Sequence, residues 1–130
     1  MQHELDNIIM AICERDPRYG EDAYEFVLES LAFTQKKFKR PKHVSGKELL
    51  DGIKDLLMEQ YGPMTLTVLK HWGIKGTEDF GHIVFNLLDN KVLSRTEEDR
   101  IDDFKNVYDF DVVFDKGYRH KLNRKISRLR

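Results

Sequence analysis

Glu78, Asp79 and His82 are residues whose types and spacing could hold a metal ion. Residues three and four apart share one face of a helix, so either carboxylate could ligate a metal beside the imidazole. A metal site in a helical protein needs several such contributors, however, and no other histidine of the chain belongs to a comparable pair. We therefore predict solvated side chains at Asp79, His82 and Asn86, with no metal ion and no other cofactor.

Nucleophilic and acid-base chemistry are also poorly supported. Cys13 follows Ile9 by four residues and shares a helical face with Ile12, where a free cysteine usually packs as a small hydrophobic residue. The carboxylates of residues 97–103 lie in a polar stretch without the apolar surroundings that would raise a pKa for proton transfer. No glycine-rich phosphate loop occurs. The sequence predicts no catalytic residue.

Trp72 is the one tryptophan of the chain and lies between His71 and Gly73 at a predicted helix end. Aromatic side chains bury so much area that packing in the core is the favoured interpretation. The alternative is an exposed anchor for a partner, because tryptophan is common in interaction hot spots. Trp72, Asp79, His82 and Asn86 are thus the candidate interaction residues.

The length and composition indicate one globular domain. The chain has 130 residues, of which 40% are apolar, 35% charged and 11% aromatic, which predicts a packed core rather than disorder. No apolar run approaches the ~20 residues of a membrane-spanning helix, and the first residues are acidic, unlike a signal peptide. A single cysteine fits a reducing compartment. We expect a cytoplasmic protein without membrane contact.

Charge divides the chain into an acidic body, residues 1–115, and a basic tail, residues 116–130. The tail holds seven of the 22 basic residues and no acidic one, which leaves the body with a formal charge of −8. Leu122, Ile126 and Leu129 repeat at spacings of four and three, which is typical of a helical apolar stripe. We favour docking of this stripe on an acidic body, either that of the same chain or that of a second copy. The alternative is that the tail is a disordered arm that binds a polyanion. The flanking cations include Arg119, Lys121, Arg124, Lys125, Arg128 and Arg130.

Apolar periodicity predicts a mainly α-helical body. The first two helices are expected over about 3–15 and 21–36, and the capping-box sequence from Ser45 to Glu48 predicts the start of the third. Pro63 is expected in the first turn of a short fourth helix, and Thr77 as the N-cap of a fifth. The predicted core is Leu50, Ile53, Leu57, Leu69, Phe80, Ile83, Val84 and Leu87.

Residues after Asn90 are enriched in β-branched and aromatic types. This composition allows two short strands joined by a charged loop, although 99–107 could equally form helical turns. If the residues after Asn90 form two strands, residues 46–114 have the order of elements of a winged helix. In that fold the fifth helix would bind in the major groove of DNA. That helix begins with Glu78 and Asp79 and its polar positions include no lysine or arginine, so we do not expect it to bind DNA.

Six segments of the chain carry a resemblance to a known family: Ala23–Val27, Gly62–Met64, Trp72–Ile74, Thr77–Asn86, Asp103–Phe104 and Tyr108–Phe110. They resemble a family of small bacterial cytoplasmic proteins that has no known activity. The resemblance covers most of residues 5–115, is most specific over 62–86 and does not include the basic tail. It implies a compact cytoplasmic bacterial protein and carries over no site residue.

The sequence therefore predicts a noncatalytic interaction or regulatory module that binds an unidentified protein or a second copy of itself. The principal alternative is a nucleic-acid-associated protein that makes contact through its basic tail and the Lys36–Lys42 cluster. An unrecognised enzyme is the third possibility, and it would require a pocket with convergent polar groups.

Overall fold

The computed structural model describes residues 2–40, 43–94 and 100–116 and contains five α-helices and no strand within these ranges. The predicted mainly α class is thus confirmed. Three shorter helical segments, Gly62–Met64, Ile101–Phe104 and Asp111–Lys116, accompany the helices. The helices are α1 (Gln2–Arg15), α2 (Glu21–Lys37), α3 (Gly46–Tyr61), α4 (Thr65–Trp72) and α5 (Thr77–Asp89).

Local signals in the sequence define several of these boundaries. The Ser45 hydroxyl accepts a hydrogen bond from the Glu48 N–H at 3.0 Å, and the Glu48 carboxylate accepts one from the Ser45 N–H at 2.9 Å. This reciprocal pair is the predicted capping box and begins α3. Gly73 ends α4 in the left-handed conformation with a φ of 83°, which glycine adopts without steric penalty.

The core lies around α5, which packs against α2, α3 and the Ile101–Phe104 turn. All eight residues of the predicted core are buried and belong to one cluster, so the predicted helix faces are confirmed. Of the thirteen residues of α5, only Asp89 is exposed. A helix enclosed in this way presents no free face to a DNA groove.

The predicted strands after Asn90 are wrong for the residues that the structure describes. Residues 101–104 and 111–116 form helical turns, and the winged-helix arrangement therefore lacks its β element. The cause is tertiary: Phe104, Phe110 and Phe114 are all buried, and the turns let each of them pack on the helical core. Of the predicted charged loop, Arg95 to Asp103, residues 95–99 lie outside the described residues and residues 101–103 belong to the Ile101–Phe104 turn.

Thr77 was expected as the N-cap of α5, and this assignment is also wrong. Gly76 occupies the N-cap, and the Asp79 carboxylate accepts hydrogen bonds from the backbone N–H groups of Lys75 and Gly76. Thr77 is buried; its hydroxyl donates to the Phe104 carbonyl at 2.6 Å and accepts from the Val107 N–H at 3.1 Å. The hydroxyl thus holds the 104–107 segment on α5 instead of capping the helix.

Most of the basic tail, residues 117–130, lies outside the described residues, so the boundary between body and tail stays a prediction. The chain leaves the described part after the Asp111–Lys116 turn, which packs against α4 and the Gly62–Met64 turn. No helix in the described ranges has both the length and the apolar character needed to cross a membrane.

Candidate functional site

Asp79 and Asn86, two of the candidate interaction residues, take part in hydrogen bonds inside the protein. The Tyr19 hydroxyl donates to Asp79 at 2.5 Å. The Asn86 side-chain amide donates to the Asp16 carboxylate and to the Tyr24 hydroxyl, each at 2.9 Å. Both residues are half-buried, so the predicted exposure is wrong. They fasten the loop between α1 and α2 to α5.

Asp16 is the charged centre of this loop. Its carboxylate forms a bidentate pair with the Arg18 guanidinium at 2.7 and 2.8 Å. The hydrogen bonds from Arg18, and then that from Asn86, hold the pKa of Asp16 well below its usual range, against the opposing effect of burial. Asp16 is therefore a structural anion with satisfied acceptors rather than a proton donor or acceptor for catalysis.

We predict that this carboxylate makes stability fall in acid. Its folded pKa is depressed, so its contribution is present above the unfolded pKa of about 3.9 and is lost as the pH falls toward the folded value. Urea denaturation of an Asp16→Asn variant should show a loss of stability at pH 7 that shrinks below about pH 4. A Glu4→Gln variant at an exposed position of α1 is the control. A difference from the wild type that stays constant between pH 7 and pH 3 would contradict the assignment.

Cys13 is half-buried and packs against the core beside this loop. Its thiol donates to the Tyr19 carbonyl at 3.7 Å. Burial raises the pKa of the Cys13 thiol, and the carboxylates of Glu21 and Asp16 raise it further. These surroundings disfavour the thiolate, so Cys13 has the packing character expected from the sequence rather than that of a nucleophile.

His82 of α5 lies beside Glu78 and does not join the hydrogen bonds described for Asp79 and Asn86. Its imidazole is 3.4 Å from the Glu78 carboxylate, and it is half-buried rather than exposed as predicted. Asp79 is engaged with Tyr19 instead and does not join this pair. Among the described residues no three potential metal ligands come together.

Trp72, the fourth candidate, is buried and packs where α2, α3 and α4 meet. Its ring centroid is 5.2 Å from that of Phe26 and 5.8 Å from that of Tyr61, with Tyr61 edge-on. These separations are those of favourable aromatic pairs. The core interpretation of Trp72 is confirmed, and an exposed tryptophan anchor is wrong.

These three rings form the floor of a groove between α2 and α4 with a volume of about 530 Å³. Tyr61 is only half-buried, so part of the aromatic cluster is accessible from this side. We call this feature the acidic-aromatic groove. Its residues are Asp22, Glu25, Phe26, Glu29, Tyr61, Thr67, Val68, His71 and Trp72.

The α2 wall of the groove is acidic. Asp22, Glu25 and Glu29 are all exposed and lie at spacings of three and four, which places them along one side of the helix. Neither Asp22 nor Glu25 forms an ion pair with another described residue. Burial raises the pKa of the Tyr61 hydroxyl, and the Glu29 and Asp22 carboxylates raise it further, so their negative field reaches the groove floor.

Two other hollows differ in charge. The larger, about 720 Å³ between α4 and residues 106–111, has Lys70 and Lys75 as well as three carboxylates in its lining. A second hollow of about 400 Å³ between α2, α3 and α5 is lined mainly by apolar residues and bears no carboxylate. Of these three hollows, the acidic-aromatic groove is the one with both an aromatic floor and a wall on which the charged residues are all acidic.

Two of the four described cations of the Lys36–Lys42 cluster form ion pairs within the protein. Lys37 forms ion pairs with Asp51, at 2.5 Å, and with Asp55. Arg40 lies 3.3 Å from Glu48. Lys42 lies outside the described residues. These pairs reduce the positive potential that the cluster could offer to a nucleic acid.

Comparison with protein-family models, curated proteins and solved structures finds no match for this chain. The family resemblance seen in the sequence therefore stays a prediction.

Sequence reasoning missed the acidic-aromatic groove because its two walls are 38 or more residues apart in the chain. The one local signal was the purely acidic character of the exposed positions in the first half of α2, at 21, 22, 25 and 29. The loop at 16–20 was interpreted only as a turn, although it contacts three of the elements around it. Its Gly20 N–H donates to the Trp72 carbonyl at 3.3 Å, which ties the loop to the end of α4.

Proposed function

We propose that this protein is a noncatalytic interaction module that binds a basic amphipathic helix of a partner protein in the acidic-aromatic groove. The observation that carries the proposal is the row of exposed carboxylates, Asp22, Glu25 and Glu29, beside the floor formed by Phe26, Tyr61 and Trp72. A partner helix with an apolar face and basic flanks matches both features.

The two features would contribute differently to binding. Exposed ion pairs at the rim stabilise by only ~0–1 kcal/mol each. Because Phe26 and Trp72 are almost fully buried, the apolar contacts with a partner fall on Tyr61 and Val68, the two half-buried apolar residues of the groove. The rim carboxylates instead select partners of positive charge and accelerate association. Since α4 has eight residues and a length of roughly 12 Å, the groove has room for about two turns of a partner helix.

The nucleic-acid alternative is less well supported by the described residues. Carboxylates along the groove repel a polyanion, and two cations of the Lys36–Lys42 cluster are paired within the domain. The noncatalytic assignment is favoured by the engagement of Asp16, Asp79 and Asn86 in hydrogen bonds between structural elements. Self-association through the same groove requires a second copy to present a basic segment.

Titration of the full-length protein with a synthetic peptide tests the proposal. The peptide has leucine at helical spacing and lysine at the other positions, and a matched peptide with glutamate in place of lysine is the control. Trp72 is the only tryptophan, so its fluorescence reports on the groove floor. We expect saturable binding of the lysine peptide that weakens with salt, and no binding of the glutamate peptide.

Charge reversal on α2 supplies the matched protein variants. A Glu25→Lys, Glu29→Lys double variant is expected to lose about tenfold in affinity, the equivalent of roughly 1.4 kcal/mol. Glu4→Lys, Glu14→Lys places the same charge change on exposed positions of α1 and should retain the wild-type affinity. Equal affinity of both double variants would refute the groove as the binding site. Salt-sensitive binding of duplex DNA unaffected by either variant would favour the nucleic-acid alternative.

A further inference from the structure

His71 is an exposed histidine on the α4 wall of the acidic-aromatic groove. It follows Val68 by three residues, and side chains at this spacing lie on the same face of a helix. A partner helix that packs on Val68 therefore passes beside the imidazole. We infer that protonation of His71 weakens binding of a basic partner, so that the groove binds more tightly at neutral than at acidic pH. This inference rests on the proposed function.

The charged groups that line the groove opposite His71 are carboxylates. A smaller hollow of about 200 Å³ adjoins the groove and shares His71 and Asp22 with it. The cations of the adjacent elements make other contacts: Lys70 lines the larger hollow, and Arg18 pairs with Asp16. The titratable groups that line the groove or the smaller hollow together with His71 are Glu21, Asp22, Glu25, Glu29 and Tyr61.

The charge of the groove changes when His71 binds a proton. No ion pair joins His71 to another of the described residues. Histidine is the side chain whose charge ordinarily changes between about pH 8 and about pH 5. Asp22, Glu25 and Glu29 give the lining of the groove a formal charge of −3, and one proton on the imidazole reduces this charge to −2.

The imidazolium would repel the cations of the partner helix. Coulomb's law in water gives about a twofold loss of affinity for each partner cation about 8 Å from the new charge, and salt reduces this loss. Two or three such cations would weaken binding about fivefold at low ionic strength. Because coupling between two bound species is reciprocal, partner binding at about pH 6.5 would release about 0.4 of a proton from His71.

Calorimetric titration of the full-length protein with the lysine peptide described above, acetylated at its N-terminus, tests the inference. At low ionic strength the wild type should bind about fivefold more weakly at about pH 5.5 than at about pH 7.5. His71→Gln has no titrating group at this position and should bind equally at both. His71→Lys carries a permanent charge and should show at both the weaker affinity that the wild type has in acid.

His43→Gln is the control, because His43 is exposed in the second hollow, away from the groove. This variant should retain the wild-type pH dependence. His71 is also exposed, so its replacement should leave the fold intact. Titrations at about pH 6.5 in buffers of different ionisation enthalpy count the protons that binding releases, and His71→Gln should lose the release of about 0.4 proton expected for the wild type.

Two results would overturn the inference and leave the proposed function intact. One is a wild-type affinity for the lysine peptide that does not fall in acid, and the other is a His71→Gln variant that keeps the wild-type pH dependence and proton release. Absence of peptide binding by the wild type at both pH values would overturn the proposed function itself, and the inference with it.

Discussion

Replacing Leu87 by alanine is expected to lower the free energy of unfolding by about 2–5 kcal/mol. Leu87 is completely buried in α5, the helix around which the core is built. Truncation removes buried methyl groups and leaves a cavity that the surrounding helices can fill only in part. Ile53→Ala in α3 should have an effect of the same size, because Ile53 is equally buried.

Urea denaturation measures both variants against Met10→Ala. Met10 is half-exposed on α1, so its replacement should change the free energy of unfolding by no more than about 0.5 kcal/mol. A loss below about 0.5 kcal/mol for both Leu87→Ala and Ile53→Ala would mean that the assigned helix faces are wrong. A small loss for only one of them would mean that the helix face assigned to that residue is wrong or that its site collapses around the smaller side chain.

Gly52→Ala is expected to destabilise the protein by about 1–3 kcal/mol, although alanine is ordinarily the better helix former by ~1 kcal/mol. Gly52 is buried in α3 opposite α2. A methyl group on its Cα would lie 1.9 Å from the Thr34 hydroxyl oxygen and 2.9 Å from the Thr34 Cβ. Thr34 is itself buried, and its hydroxyl donates to the Ser30 carbonyl at 2.6 Å, so it cannot simply turn away. The two helices would have to separate.

A double-mutant cycle with Thr34→Ala identifies this clash as the cause. Removal of the Thr34 hydroxyl and methyl groups takes away the closest obstruction, so Gly52→Ala should cost less in that background than in the wild type. The measurement is again the free energy of unfolding in urea. If Gly52→Ala stabilises the otherwise unaltered protein, helix propensity dominates and the close approach of α2 and α3 does not constrain residue 52.

The five α-helices and the core were predictable from residues that are close in sequence. Apolar residues three and four apart define the buried faces of α3 and α5, and the Ser45–Glu48 box defines a helix start through hydrogen bonds within four residues. Gly73 ends α4 through its own backbone conformation. Each of these signals depends on neighbours within about one turn of helix, so it is present before any tertiary contact forms.

The conformation of residues 101–116 was decided by the tertiary structure alone. Their β-branched and aromatic residues suit a strand as well as a buried turn, and composition does not distinguish the two. The Thr77 hydroxyl, 27 residues away from Phe104, bonds the backbone of this segment, and the Tyr108 hydroxyl donates to the Leu50 carbonyl at 2.6 Å. These long-range contacts favour helical turns over strand pairing.

The roles of the polar side chains were likewise not determined by the sequence. The residues next to Asp79 and Asn86 in the sequence do not show whether these side chains are exposed or half-buried. Their hydrogen-bond partners Tyr19, Asp16 and Tyr24 lie 60 or more residues away. The acidic-aromatic groove exists only because packing brings α2 beside α4.

The sequence by itself determined the helices, their buried faces and the division of charge between body and tail, since these depend on residue type and near neighbours. The tertiary structure decided which polar groups are satisfied inside the protein and which carboxylates remain on an open surface, since both depend on contacts between distant parts of the chain.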